Sequence, residues 1–164
     1  MSVGLAIFTL FHVAISLVGI ASGFVVVWGM TKNRERNGWT GVFLSTTVLT
    51  SVTGFLFPFH RFLPSHALGI LSLILLPIAI YALYVRRLAG AWNLTYSLMA
   101  VSALYLNVFV LIAQLFAKVP VLKAMAPTQS EAPFKVTQLG VLVLFITLGV
   151  LVVKSPRNNC VPPD

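Results

Sequence analysis

Leu88–Ala117 reads LAGAWNLTYSLMAVSALYLNVFVLIAQLFA, an unbroken run without a charged side chain. A bilayer core of about 30 Å is crossed by about 20 apolar helical residues. This run is longer than that, and Arg86, Arg87 and Lys118 close it at either end. It decides the class of the protein, because the same pattern recurs along the chain. Met1–Thr31, Asn37–His60, Phe62–Val85 and Val136–Val153 are also uncharged, with histidine taken as neutral. The expectation is an all-α bundle of five transmembrane helices, with spans at about 8–30, 39–59, 66–85, 92–113 and 135–153. These spans use nearly all of the 164 residues, so residues 1–164 form one membrane domain.

Composition agrees. The chain is 59% hydrophobic and 9% charged, against about 25% charged in soluble domains. Its mean hydropathy is +0.98. The net charge of +8 would suggest nucleic acid in a soluble protein. Here the basic residues flank spans, where they act as topology signals, and no nucleic-acid partner is expected. Cys160 is the single cysteine, so there is no intrachain disulfide. The first run lacks a positive leader and is too long for a signal-peptide core, so it reads as a retained span.

Basic side chains orient the bundle. With the N-terminus outside and the C-terminus inside, Lys32, Arg34, Arg36, Arg86, Arg87, Lys154 and Arg157 face inward. Arg61, Lys118, Lys123 and Lys135 face outward, and the excess on the inside sets the orientation. Trp28, Trp39 and Trp92 then all fall at inner ends of spans, at the headgroup level that indole prefers. Counting outward from them places His12, His60, His66 and Gln114 near the outer boundary. Gln138 lies about one turn inside it and Asn107 about two turns.

Several faces can be read before any fold is known. His12, Ser16, Gly19 and Gly23 share one face of the first helix, and small residues four apart allow close helix approach. The second run is rich in hydroxyls: Ser45, Thr46, Thr47, Thr50, Ser51 and Thr53. Their plain role is to bond back to carbonyls one turn earlier; a proton or ion path is the sharper one. No carboxylate lies in any span, which argues against a proton relay or cation transporter built on acids. No internal repeat of the kind common in transporters is evident. Pro77 is expected to kink the third helix by freeing the carbonyl of Leu73, and Pro58 to shape the exit from the second. Residues 118–135 form the longest connector. It is expected to hold a short interfacial helix over Val119, Leu122 and Met125, ended by Pro127, and to lid the outer end. Thr128–Glu131 has capping-box spacing, with Pro133 in conflict.

Three histidines at one depth can converge. Neutral imidazole is a ligand for haem iron, Cu or Zn, so His12, His60 and His66 are the candidate haem b, Cu or Zn ligands. Asn107, Gln114 and Gln138 are their candidate hydrogen-bond partners. The plain alternatives are hydrated histidines and interhelical amide bonds. A quinone or other ligand pocket is a further possibility. No residue is assigned a catalytic role, and no activity as an enzyme on its own is expected.

Thr53–His60 (TGFLFPFH), Pro64–Ile70 (PSHALGI) and Ala126–Glu131 (APTQSE) resemble segments of small multi-span proteins of bacterial inner membranes that carry no established activity. That resemblance covers most of the chain and implies a multi-pass protein of the cytoplasmic membrane. The histidine-bearing bundle is also loosely similar to b-type cytochromes, although paired in-span histidines on matched helices are not evident. The leading expectation is a small subunit of a redox or respiratory-type complex, in contact with lipid and with other membrane subunits or copies of itself. The alternatives are an accessory or assembly subunit that docks through its small-residue faces, and a small transporter or channel.

Overall fold

A computed structural model describes residues 3–32, 37–57 and 64–155. Pro58, His60, Arg61 and Cys160, and the basic residues Arg34, Arg36 and Arg157, lie outside the described residues. The elements in chain order are α1 (Val3–Thr31), α2 (Asn37–Gly54), α3 (Pro64–Ile80), a π-helical turn (Tyr81–Val85), α4 (Ala91–Lys118), α5 (Pro120–Met125) and α6 (Ala132–Val153). Among the described residues there is no strand, as expected of a chain whose backbone must satisfy itself in lipid.

Four helices are long and apolar enough to cross a membrane: Val3–Thr31, His66–Val85, Ala91–Lys118 and Ala132–Val153. The expected second span is the exception. α2 has 18 residues, about 27 Å of helix, but its hydroxyls make it the least apolar of the long helices. It also stops at Gly54, short of the expected end at residue 59. Phe55 and Leu56 donate their N–H groups three residues back, to Val52 and Thr53. This tight last turn precedes Pro58, and a following proline disfavours helix at the residue before it.

α1 packs on α2, α2 on α3 and α3 on α4, and α4 occupies the middle, touching α1, α3, α5 and α6. Ala100, Ala103 and Leu104 of α4 are wholly buried. The glycine face of α1 is filled from within the chain. A Cβ on Gly23 would lie 2.6 Å from Leu104 Cδ1 and 2.8 Å from Phe43 Cε2, and one on Gly19 would lie 3.1 Å from Thr46 Oγ1. Phe43 and Leu104 are both fully buried and have nowhere to retreat. At the other end of α1, Ser155 donates its hydroxyl to the Met30 carbonyl at 3.0 Å, so α1 and α6 finish side by side.

Three of the hydroxyls on α2 bond back along their own helix, as the plain reading expects. Thr46 donates to Val42 O, Ser51 to Thr47 O and Thr53 to Leu49 O, at 2.7, 2.9 and 2.7 Å. Pro77 sits inside α3, and the helix widens into the π turn a few residues later. Arg86 N–H then reaches Tyr81 O and Leu88 N–H reaches Ala82 O, each at 3.0 Å. Arg87 (φ 48) and Leu88 (φ 59) take left-handed conformations that cost side-chain-bearing residues roughly 1–2 kcal/mol each. The Arg86 guanidinium lies 5.3 Å from the Trp92 ring and the Lys32 ammonium 5.2 Å from Trp28. Two tryptophans thus carry cations at the end of the bundle where α1 and α6 finish.

The connector behaves differently from its motif. α5 ends at Met125, but the cap of α6 is Glu131 and not Thr128. Pro133 falls in the first turn, where a missing N–H costs nothing. Glu131 closes the loop instead, accepting the Thr128 hydroxyl at 2.8 Å and the N–H groups of Thr128 and Ser130 at 3.2 and 3.1 Å. Slight desolvation opposes ionisation, but these donors hold its carboxyl below the ordinary value. Gln129 (φ 58) donates its amide to Ala113 O at 2.7 Å, which pins the loop to α4.

Replacing Gly23 by alanine is expected to destabilise the bundle by about 1–3 kcal/mol through overpacking. The matched change at Gly140, which has nothing within 4 Å, is expected to leave stability unchanged or raised. Thermal unfolding of both variants in mild detergent checks this.

Candidate functional site

The antiparallel course of α1 to α4 brings the start of α1, the end of α2, the start of α3 and the end of α4 together. A cavity of about 380 Å³ opens between them. His12, His66, Asn107 and Gln114 all line it. Four of the six residues singled out from depth alone are therefore neighbours in space. The fifth, Gln138, lies on α6 away from the cavity and donates its amide to Phe109 O at 3.1 Å. The sixth, His60, is outside the described residues. Residues 119–131 do not line the cavity, so the outer connector is not its lid; Lys118, at the end of α4, stands at the mouth.

His12 is held from both sides. Gly54 offers bare backbone to the ring: a Cβ there would lie 3.7 Å from His12 Cε1. The Phe57 ring meets it edge-on, centroids 5.1 Å apart at 85°. Nδ1 lies 2.8 Å from Thr53 Oγ1. The Thr53 hydroxyl has one proton, and its 2.7 Å contact with the bare carbonyl oxygen of Leu49 requires that proton. Nδ1 must then be the donor to Thr53. The imidazole is fixed as the Nδ1–H tautomer, and Nε2 carries the lone pair. Such a bond on one ring nitrogen is how proteins set the other for a ligand.

His66 is buried and packs against Phe55, with centroids 5.8 Å apart. Gly69, one turn further along α3, makes room for that ring: a Cβ there would sit 3.1 Å from it. Two aromatic side chains after α2 thus back the two imidazoles, Phe57 on His12 and Phe55 on His66. Asn107 donates its amide to Thr47 Oγ1 at 3.3 Å, the interhelical bond that the plain reading expects of a buried amide.

Two further lining residues stand out. Thr50 Oγ1 and Ser72 Oγ are buried without a hydrogen-bond partner, and both line this cavity. Ser72 is only 3% exposed. They are the only serine or threonine hydroxyls in that condition among the described residues. The hydroxyl richness of α2 is plain in the sequence, but nothing there separates Thr50 from its bonded neighbours, and Ser72 sits in an apolar run. Phe55 and Phe57 likewise carry no signal until α2 is seen to end beside them.

Among the described residues no three His, Cys, Asp or Glu side chains are grouped so as to hold a metal ion. The described part of the site is a set of hydrogen-bonding groups around an apolar chamber. Comparison with protein-family models, curated proteins and solved structures finds no match to this chain.

An unpaired buried hydroxyl costs about 1–3 kcal/mol. Ser72→Ala is therefore expected to stabilise the ligand-free protein by about 1–2 kcal/mol, read as a raised Tm in detergent. Thr53→Val removes the acceptor of Nδ1–H. Its expected signature is a change of the His12 ring from one tautomer to a mixture, visible in the ¹⁵N shifts of labelled protein.

Proposed function

We propose that this chain is a ligand-binding subunit of a redox or respiratory-type complex in the bacterial cytoplasmic membrane, and not an enzyme by itself. It crosses the membrane five times, with α2 as the additional span, the N-terminus outside and the C-terminus inside. The observation that carries the reading is the cavity with its two unpaired hydroxyls. Ser22, Ser51 and Ser97, also buried, bond back within their own helices. Polar groups left unmatched in a bilayer interior are costly and tend to be functional.

The five-span course is supported by charge. With α2 crossing, Lys32, Arg86, Arg87 and Lys154 share one end, and the Ser155–Met30 bond joins two helices that finish there. The excess of basic residues at that end favours the inside.

An organic ligand held by hydrogen bonds accounts for the site better than haem b, Cu or Zn. Metal needs His60 or a partner to complete the set begun by His12 and His66, whereas the hydroxyls of Thr50 and Ser72 would gain nothing from it. An accessory subunit without a ligand fits less well, because the small-residue face of α1 is already occupied by α2 and α4.

Optical spectra, elemental analysis and solvent extraction of the purified protein test this reading. The expected outcome is an extractable organic molecule with no Soret band and no stoichiometric metal. A Soret band or one Cu or Zn per chain, lost in both His12→Ala and His66→Ala, would replace the organic ligand. Reporter fusions test the topology: a C-terminal fluorescent protein should mature in the cytoplasm, and a C-terminal alkaline phosphatase should stay inactive.

A further inference from the structure

We infer that the cavity receives the head group of a quinone, an uncharged ring with oxygens at opposite edges and an apolar tail. This rests on the ligand-site reading above and names the class of molecule.

The chamber, about 380 Å³, is of the size used for small organic ligands, about 300–1,000 Å³. Four of its polar side chains lie at two levels along the helices. The deeper ones are the hydroxyls of Thr50 and Ser72, each with a proton and no acceptor. A carbonyl oxygen is the simplest group that satisfies such donors without bringing charge into the membrane. The shallower ones are the His12 imidazole and, towards the mouth, the Gln114 amide. Thr50 precedes Thr53, the partner of His12, by three residues, a rise of about 4.5 Å. The two levels are therefore offset along the bundle, as groups that meet opposite edges of one ring must be. Phe55 and Phe57 stand beside the imidazoles with apolar ring surface, which suits a flat ligand.

Charge narrows the choice. Among the described residues no carboxylate lines the cavity, so there is no counterion for a cationic head group. The one lysine, Lys118, is exposed. An anionic head group seated on it would stay near the mouth and leave Thr50 and Ser72 unmatched. The walls come from α1 to α4, three of them long and apolar enough to cross a membrane. A ligand reaching this depth arrives most readily through lipid, and so carries a tail. The reduced form fits as well: a quinol hydroxyl can donate to Nε2, the lone-pair nitrogen of His12, while a quinone carbonyl accepts from Thr50 and Ser72.

The test uses the full chain in mild detergent. Decyl-tailed benzoquinone and naphthoquinone are titrated by equilibrium dialysis and thermal shift, and the fluorescent fatty acid cis-parinarate serves as a second probe. The expected result is saturable quinone binding at one per chain, weakened about tenfold by Ser72→Ala, whereas His12→Phe should weaken binding of the borohydride-reduced quinols and not of the quinones. Leu139→Ala, on the exposed face of α6, should leave it unchanged. Ser72→Ala should fold at least as well as the parent, so its loss of binding is not a loss of structure. Saturable cis-parinarate binding that quinones do not displace would overturn the quinone and keep the ligand site. If neither probe binds and Ser72→Ala behaves as the parent except for its stability, both the quinone and the ligand site fall.

Discussion

A polar group inside a bilayer has no water to fall back on, and this chain is organised around that constraint. Helices answer it for the backbone. Many side-chain hydroxyls answer it singly, turning to the carbonyl a turn earlier, as Thr46, Ser51 and Thr53 do on α2. Where tertiary structure intervenes it adds acceptors: Thr47 Oγ1 takes the Asn107 amide and Phe109 O takes that of Gln138. Against these bonds, two unmatched hydroxyl donors lining one cavity are informative out of proportion to their size.

Close packing decides where the unmatched donors can be. Gly23 lets α1 settle against Phe43 and Leu104, which seals the middle of the bundle. Towards the other end the helices carry Ser16, Gly54 and Gly69 at the facing positions, and the space these leave is the cavity. Aromatic side chains from the unwound end of α2 partly fill it, and the imidazoles rest on them. The early stop of α2 at Gly54 is thus part of how the site is made.

Much of this was legible from residue order. Uncharged runs located the helices, and tryptophans placed along them put His12, His66, Asn107 and Gln114 at neighbouring depths, which the cavity unites. Depth alone could not give direction around a helix axis, and so Gln138 was grouped with residues from which α6 separates it. Motif spacing misled at Thr128, because Glu131 caps α6 while its carboxylate closes the preceding loop. The hydroxyls of Thr50 and Ser72 were beyond reach, since whether a hydroxyl finds its own helix carbonyl is a matter of rotamer and neighbour. The second helix shows the same limit in another form. Its hydroxyls are unremarkable when packed on α1, yet they lower its hydropathy below that of the helices that qualify as spans by composition.

The bond from His12 Nδ1 to Thr53 has a kinetic meaning. A histidine in a proton wire receives at one nitrogen and releases from the other to a group that can pass the proton on. Here the releasing side meets a hydroxyl whose own proton is committed to the Leu49 carbonyl, and an amide oxygen is no carrier. A proton gained at Nε2 can leave only by the way it came. His12 is a dead end for proton traffic, so this end of the bundle can hold a protonated ligand beside a base without opening a leak across the membrane.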